Sequence, residues 1–220
     1  MKERENRELV ERLRGFTTPE LCDGAGFYHS MDHRIKPRVG KKRIAGTAVT
    51  VDVPAGEGDM VAEAILSLQE GDVLVVAGKG CCSCSYWGDF RSICAVMKKA
   101  EAVVIDGAYR DHEGCVEAGF PVFAKGLTCG TAAKNGVGAI NVPINCGGVC
   151  VSPGDFIIGD ENGVCVLKPE EAKPAMERAL KKRELQKQTI EEMKKTGIVV
   201  PKLKKKLLDI QMNIEDEKIR

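Results

Sequence analysis

The 220-residue chain has no long hydrophobic run and no excess of charge of one sign. No apolar stretch approaches the roughly 20 residues that a bilayer span needs, so a membrane-spanning protein is not expected. Thirty-three Lys and Arg residues against 32 Asp and Glu leave a net charge of +1, which gives no bulk attraction to nucleic acid or to a membrane surface. The first residues, MKERENRELVERL, are charged and helical in pattern, unlike a secretory signal. A cytoplasmic protein is therefore expected.

Cysteine, by contrast, is abundant, with ten residues. Secreted disulfide scaffolds are shorter and carry a signal, so reduced thiols are expected here. One group of cysteines allows two interpretations, a thiolate metal site or small side chains packed in a tight loop. Its spacing fits neither a paired zinc pattern nor a ferredoxin run, which favours the second interpretation. The group consists of Cys81, Cys82 and Cys84, with Cys146 and Cys150 far downstream.

The middle of the chain alternates between helical and strand patterns. Helices are predicted over 60–68 and 88–100, and apolar strands over 71–78, 102–106 and 121–124. This alternation is typical of parallel strands joined by right-handed crossovers, and so of an α/β fold.

The pattern changes after residue 124. Short strands separated by the turns NCGG, SPGD and DENG are predicted over 139–167, as antiparallel or mixed β structure. A long charged helix follows from Pro169 to about Lys195. We predict one domain over 1–197 and a tail over 198–220, for which two interpretations stay open: a further helix packed on a neighbouring subunit, or a loosely held segment.

Two loops leave the carboxyl ends of predicted parallel strands, where α/β proteins bind ligands. The first reaches a helix that begins near Gly88, and helix N-termini accept carboxylates. The carboxylates of Asp89 and Asp111 suit a hard cation such as Mg²⁺, and Arg110 offers a planar fork to a keto acid or a developing enolate oxygen. The simpler interpretations are a surface Arg110–Asp111 ion pair and a helix-stabilising Asp89.

Gly88-Asp89, twenty further residues and then Arg110-Asp111 resemble the D-x20-R-D signature of the RraA-like family, which includes class II 4-hydroxy-4-methyl-2-oxoglutarate aldolases. The resemblance covers roughly residues 8 to 195. It also includes the segments TPELCDGAG, AGTAVTV, GDVLVV, GFPVFAKG and INVPINCGGVCVSPGDFIIGDENGVCVL.

The resemblance implies a swivelling β/β/α domain with mixed sheets and a long C-terminal helix, assembled as a homotrimer or homohexamer with active sites between subunits. It implies that Asp111 binds Mg²⁺ or Mn²⁺ directly, that Asp89 does so through a water, and that Arg110 binds the keto acid and stabilises its enolate. Backbone amides from Gly88 through Asp89 and Phe90 to Arg91 would receive the substrate carboxylate. Glu184 of a neighbouring subunit is a further candidate near the metal.

The implied activity is metal-dependent cleavage of a 4-hydroxy-2-oxo acid to pyruvate, with oxaloacetate decarboxylation as a side activity. Two other functions stay open: a non-catalytic ribonuclease regulator that acts by protein binding, and a lyase for another small keto or hydroxy acid. Asp89 favours an enzyme, because relatives without an acid there lack the carboxylate that holds the metal-bound water. The chain departs from the family pattern at Gly114, where an acidic residue is common, and in its cysteine-rich loop. His112 is either a proton shuttle or, as we favour, an exposed histidine.

Overall fold

The computed structural model describes residues 2–26 and 29–199. The chain groups into two compact units, Met1–Glu177 and Arg178–Arg220. The elements in chain order are α1 (Lys2–Leu13), α2 (Thr18–Ala25), β1 (Lys36–Val39), β2 (Ile44–Asp52), α3 (Asp59–Leu66), β3 (Asp72–Trp87), α4 (Asp89–Met97), β4 (Ala102–Tyr109), α5 (His112–Ala118), β5 (Val122–Leu127), β6 (Ala139–Ile140), β7 (Ile144–Cys146), β8 (Val149–Val151), β9 (Phe156–Asp160), β10 (Gly163–Leu167) and α6 (Pro169–Thr196).

The first unit is built on a mixed sheet of order β1-β5-β4-β3-β2-β9-β10, with the short β6 paired to β2. Strands β2 to β5 are parallel neighbours, joined through α3, α4 and α5, and the alternating pattern predicts this arrangement for β3, β4 and β5. The later strands β6, β9 and β10, and the separate β7–β8 hairpin, pair antiparallel. The predicted α/β class with mixed sheets and a long C-terminal helix is confirmed.

Each face of the sheet carries its own hydrophobic cluster, because successive side chains of a strand point to opposite faces. One cluster joins Val76 and Ile105 of the sheet to Val61 of α3 and Ala95 of α4. The other joins Val75 and Val104 to the β7–β8 hairpin. The layers are thus hairpin, sheet and helices, and the helical layer carries α4 and α5 beside the ends of β3 and β4.

Two strands run further than the sequence pattern predicts. The segment GKGCCSCSYWGD, expected to be a loop, belongs to β3 up to Trp87, and β4 continues to Tyr109. The two extensions pair with each other, with Ser85 opposite Ala108 and Trp87 opposite Tyr109. Neither extension shows a strand pattern by itself, but each supplies the backbone hydrogen-bonding partners that the other lacks.

The second unit contains the C-terminal part of α6, which ends at Thr196. The predicted tail helix over 198–220 lies almost wholly outside the described residues, so its contact with a neighbouring subunit stays a prediction, as does the domain boundary at residue 197. Within residues 2–26 and 29–199, no helix is both long and apolar enough to cross a membrane.

A buried ion cluster joins the neighbouring strands β4 and β5. The ammonium of Lys125 contacts Asp106 and lies 3.0 Å from Asp32, and the Lys125 side chain is only 8% exposed. The other oxygen of Asp106 accepts a hydrogen bond from the amide of Gly147 in the turn between β7 and β8. Burial lowers the pKa of Lys125, but the bonds to Asp106 and Asp32 outweigh it, so that the net shift is upward and the amine stays charged.

Replacing Lys125 by methionine is expected to lower the free energy of unfolding by about 3 kcal/mol, because the buried carboxylate of Asp106 loses its cation. The second carboxylate, that of Asp32, keeps its ion pair with Arg34. Urea denaturation measures the change. Lys173→Met is the matched control, since Lys173 pairs with Glu5 at an exposed position and its loss should change the unfolding midpoint much less. Equal losses of unfolding free energy in Lys125→Met and Lys173→Met would contradict a stabilising role of the buried ion cluster.

Candidate active site

The ends of β3 and β4 bring the two predicted site segments together. Trp87, the last residue of β3, pairs with Tyr109, the last residue of β4, so Gly88 and Arg110 leave the sheet side by side. The amide of Arg110 donates a hydrogen bond to the carbonyl of Trp87 over 3.0 Å. Trp87 is itself fixed, because its indole Nε1–H donates to Ser92 Oγ in α4 over 2.8 Å. The start of α4 is thereby tied to the strand that precedes it.

The backbone conformation and the side-chain contacts of Asp111 fit a metal-binding residue better than a helix-capping residue. It precedes α5 in the left-handed conformation, with φ 54° and ψ 50°, which is uncommon for a residue other than glycine. Its carboxylate makes no capping hydrogen bond to α5. Oδ2 lies 3.0 Å from Arg110 Nε, and the two side chains are 40% and 43% exposed. The carboxylate therefore faces the site rather than its own helix.

Two glycines leave room for the two carboxylates. A Cβ atom on Gly88 would lie 2.6 Å from Oδ2 of Asp111. A Cβ atom on Gly114 would lie 2.7 Å from Cβ and 2.9 Å from Oδ2 of Asp89. Gly114, which stands where the family often has an acid, is thus the surface on which Asp89 packs.

Asp89 is the first residue of α4, and its Oδ1 accepts a hydrogen bond from the amide of Phe90 over 2.6 Å. That amide is one of those expected to receive a substrate carboxylate. The pKa of Cys115 in α5 is raised mainly by burial, and the charges of Asp89 and Asp111 raise it further. The electrostatic effects of both carboxylates therefore act on the same thiol, which lies between α4 and α5.

The other two predicted substrate-binding residues differ in environment. The guanidinium of Arg91 donates to the carbonyl of Tyr86 and, over 2.7 Å, to that of Gly58, so it anchors α4 to the loop before α3. Burial and then the positive charge of Arg110 lower its pKa, against the attraction of Asp59. Phe90, in contrast, is 73% exposed.

A cavity of about 160 Å³ lies over these residues. Because a water molecule occupies about 30 Å³ in the liquid, the cavity can hold a small organic acid or a few waters. All the predicted residues of the two strand ends line it, and so does Ser85. The opposite wall is formed by Thr131, Ala132, Ala133 and Lys134, together with Gly58.

Sequence reasoning missed that opposite wall, which depends on Glu57. This carboxylate is 4% exposed and accepts hydrogen bonds from the amides of Gly58 and Asp59, both over 3.0 Å. It also accepts from the amide and, over 3.0 Å, the side chain of Asn135. The bond from the Asp59 amide is the main cause that lowers the pKa of Glu57. No local motif marks Glu57, since its partner Asn135 is 78 residues away in the chain.

Glu184 and the cysteines lie elsewhere. Glu184 is on α6 and accepts a hydrogen bond from Gln188 over 3.0 Å, and its place near a neighbouring subunit's metal stays a prediction. Cys81, Cys82 and Cys84 belong to strand β3, so the expectation of a tight loop is wrong for them, and Cys146 and Cys150 lie on β7 and β8. Among the described residues, no three or more His, Cys, Asp or Glu side chains are arranged to hold a metal ion, which leaves the thiolate-site interpretation without support.

The chemistry of the donors at the strand ends nevertheless fits a divalent cation. Mg²⁺ prefers oxygen ligands, keeps several waters and is commonly held by one or two protein carboxylates while the substrate completes its shell. Asp89 and Asp111 provide two such carboxylates beside one cavity, each next to a glycine. A site of this kind needs no third protein ligand.

Comparisons with known proteins support the family resemblance of the chain. The RraA-like family model, described as Aldolase/RraA, matches residues 18–166. A protein of Halalkalibacterium halodurans, provisionally named 4-hydroxy-4-methyl-2-oxoglutarate aldolase, is 34% identical over 176 residues, which are 80% of this chain and 84% of that protein.

Two solved structures are similar as well. The RNA-processing inhibitor RraA of Thermus thermophilis has a TM-score of 0.65 and 29% identity over 70% of this chain and 93% of its own. An uncharacterised protein of Pseudomonas syringae has a TM-score of 0.75 and 26% identity over 91% of this chain and 94% of its own. From its sequence and its fold, the chain belongs to the RraA-like family.

Proposed function

We propose that the protein is a divalent-metal-dependent aldolase that cleaves a 4-hydroxy-2-oxo acid, such as 4-hydroxy-4-methyl-2-oxoglutarate, to pyruvate. The observation that carries this proposal is the meeting of Asp89, Arg110 and Asp111 at one cavity of about 160 Å³. The relative from Halalkalibacterium halodurans supports it by its name. Decarboxylation of oxaloacetate is expected as a side activity, because it passes through the same pyruvate enolate.

Asp111 would hold Mg²⁺ or Mn²⁺ directly and Asp89 would hold it through a water. When bound, such a cation supplies a Lewis acid that withdraws electrons from the 2-oxo group of the substrate. The chain's own contribution is to hold both carboxylates beside one cavity, with Asp111 next to Arg110 and Asp89 bonded by the amide of Phe90. The Asp111 side chain does not cap its helix, and the absence of a side chain at Gly88 leaves room beside its Oδ2.

Arg110 supplies the fixed positive charge for the substrate. The backbone amide of Arg110 is hydrogen-bonded to the carbonyl of Trp87 at the strand end, so the Arg110 side chain extends from a fixed point of the backbone. A planar guanidinium can bind the 2-oxo acid through two parallel hydrogen bonds, and it stabilises the negative charge that develops on the enolate oxygen. The start of α4, at Asp89 to Arg91, directs backbone amides and a partial positive charge toward the substrate carboxylate.

A lysine-based Schiff-base mechanism has little support at this site. A lysine nucleophile needs a lowered pKa, which burial or a neighbouring cation provides. Lys134 lines the cavity but is exposed, and the buried Lys125 has its pKa raised by Asp106 and Asp32. The chain is therefore a class II rather than a class I candidate.

The proposal is tested by the release of pyruvate from 4-hydroxy-4-methyl-2-oxoglutarate and from oxaloacetate, with Mg²⁺, with Mn²⁺ and with EDTA. We expect turnover that EDTA abolishes and that added metal restores. Borohydride added with pyruvate should leave the activity intact, because no Schiff base is formed. Inactivation by borohydride would instead indicate a lysine mechanism.

Absence of turnover on both substrates, with the folded protein confirmed by circular dichroism, would contradict the proposal. It would favour a lyase for another small keto or hydroxy acid, or a ribonuclease regulator, as the name of the Thermus structure suggests for that protein. An assay of ribonuclease E with the purified protein distinguishes these two functions, because only a ribonuclease regulator is expected to inhibit it.

The same proposal includes assembly as a homotrimer or homohexamer. Helix α4 exposes a contiguous set of apolar side chains, and Leu66 of the adjacent α3 is 67% exposed. Exposed apolar patches of this kind are typical of protein interfaces. Phe90 belongs to the set and also lines the cavity, so a subunit that covers α4 would also close the active site. The α4 side chains are Phe90, Ile93, Val96 and Met97, exposed by 73%, 50%, 47% and 80%.

Replacing Met97 by lysine is expected to shift the protein from trimer or hexamer toward monomer, because a charge then has to be buried between subunits. Light scattering coupled to size-exclusion chromatography measures the mass. Val137→Lys is the control, since Val137 is an exposed apolar residue outside α3 and α4. A wild-type monomer, or a Met97→Lys oligomer of unchanged mass, would contradict the interface.

A further inference from the structure

Strand β3 contains a bulge within the cysteine-rich segment. From Cys81 to Ser85 the strand advances four residues, while its partner β4 advances one, from Gly107 to Ala108. The additional residues fold back, so that the sulfur atoms of Cys81 and Cys84 lie 3.7 Å apart. A disulfide has a sulfur–sulfur distance of about 2.05 Å, so a short approach of the two side chains would allow the bond.

The two thiols differ in the way that an attacking and a resolving cysteine differ. Cys81 is partly exposed, whereas Cys84 is 7% exposed. The hydroxyl of Ser83 lies 3.3 Å from Cys81 Sγ, and this contact is the main cause that lowers the pKa of Cys81 to about 7. Burial raises the pKa of Cys84. Near neutral pH, Cys81 therefore provides the accessible thiolate and Cys84 stays a thiol beside it.

We propose that Cys81 and Cys84 are a redox-active dithiol that low-molecular-weight disulfides oxidise to an intramolecular disulfide. The Cys81 thiolate attacks one sulfur of the small disulfide and forms a mixed disulfide, while the other half leaves as a thiolate. Cys84 then loses its proton to solvent and attacks the Cys81 sulfur, which releases the second half of the reagent as a thiolate. Two electrons pass from the protein to the reagent, and two small thiols are produced.

The pair is connected to the wall of the active-site cavity. Cys84 is followed by Ser85. The amide and the hydroxyl of Ser85 both donate hydrogen bonds to the carbonyl of Gly130, over 3.2 and 2.8 Å. Ser85 lines the cavity, and Thr131, the residue after Gly130, lines it from the other side. The dithiol is therefore placed beside the cavity, although the exchange chemistry itself needs no aldolase substrate.

The experiment incubates the full-length protein with glutathione buffers of rising disulfide content, quenches with acid, alkylates free thiols and locates the modified cysteines by mass spectrometry. We expect Cys81 and Cys84 to escape alkylation together, with loss of two hydrogen atoms from their peptide. The Cys82→Ser variant should behave as the wild type, and it removes the exposed thiol that lies between Cys81 and Cys84 in the same peptide. Cys84→Ser should stop at the mixed disulfide, with one glutathionyl group on Cys81.

The pH dependence of Cys81 provides a second measurement. In reduced Cys82→Ser protein, the rate of Cys81 alkylation should rise with a midpoint near pH 7, whereas an ordinary thiol has its midpoint near 8.5. Three results would overturn the proposal: a disulfide that involves Cys82, glutathionylation of wild-type Cys81 that never proceeds to a disulfide, or a Cys81 midpoint near 8.5.

Discussion

Asp111→Asn is expected to reduce pyruvate formation by more than 10²-fold and to weaken Mg²⁺ binding by a similar factor. Loss of a partner that merely orients a metal ligand already costs 10- to 100-fold, and Asp111 is proposed as the direct ligand. The substitution keeps the size of the side chain and, because asparagine also tolerates the left-handed conformation of φ 54°, it keeps the backbone. Steady-state kinetics and metal titration by calorimetry measure the two effects.

Glu113→Gln is the matched control for Asp111→Asn. Glu113 is an exposed acid two residues further along, in the first turn of α5, so both changes remove one negative charge from the same place. We expect Glu113→Gln to retain most activity and metal affinity. Equal losses in the two variants would mean that the general negative field, rather than coordination by Asp111, supports the reaction. A fully active Asp111→Asn variant would contradict the assigned metal site.

Patterns within short segments predict much of this fold. Apolar strands that alternate with helices predict the parallel arrangement of β3 to β5. Because the carboxyl ends of neighbouring parallel strands lie together, Asp89 and Arg110 could be placed at one edge. The long helix α6 follows from its charged pattern and ends within one residue of the predicted position. In each case the information lies in residues that are close in the chain.

Features that depend on pairing between distant segments could not be predicted in this way. The extension of β3 through Ser85 to Trp87 exists because β4 extends beside it, and the cysteine-rich sequence has no alternation that indicates a strand. The second wall of the cavity depends on Glu57, which holds Asn135 through hydrogen bonds across 78 residues. The sequence does mark Gly114 as unusual, but only the structure shows that Asp89 packs against it.

Gly114→Ala is expected to reduce kcat/KM about 10²-fold, because a displacement of about 1 Å in a catalytic group can have an effect of that size. The new Cβ would lie 2.7 Å from Cβ of Asp89, an atom that cannot turn away as a side-chain end can, so α5 and α4 have to move apart. Alanine favours a helix over glycine by up to about 1 kcal/mol, which offsets part of the strain and keeps the variant folded. Thermal unfolding and steady-state kinetics together separate loss of fold from loss of site geometry.

Gly126→Ala is the control for this change, since the nearest atom to its new Cβ is Cys82 Sγ at 3.8 Å, an ordinary contact. We expect its kinetics to match the wild type. Gly114→Glu, which restores the family's common acid, should be less active than Gly114→Ala, because α5 lies against Asp89 too closely for a longer side chain. Wild-type activity in both Gly114 variants would show that the position of Asp89 does not control the reaction. That result would contradict the proposed role of Asp89 in holding the metal-bound water.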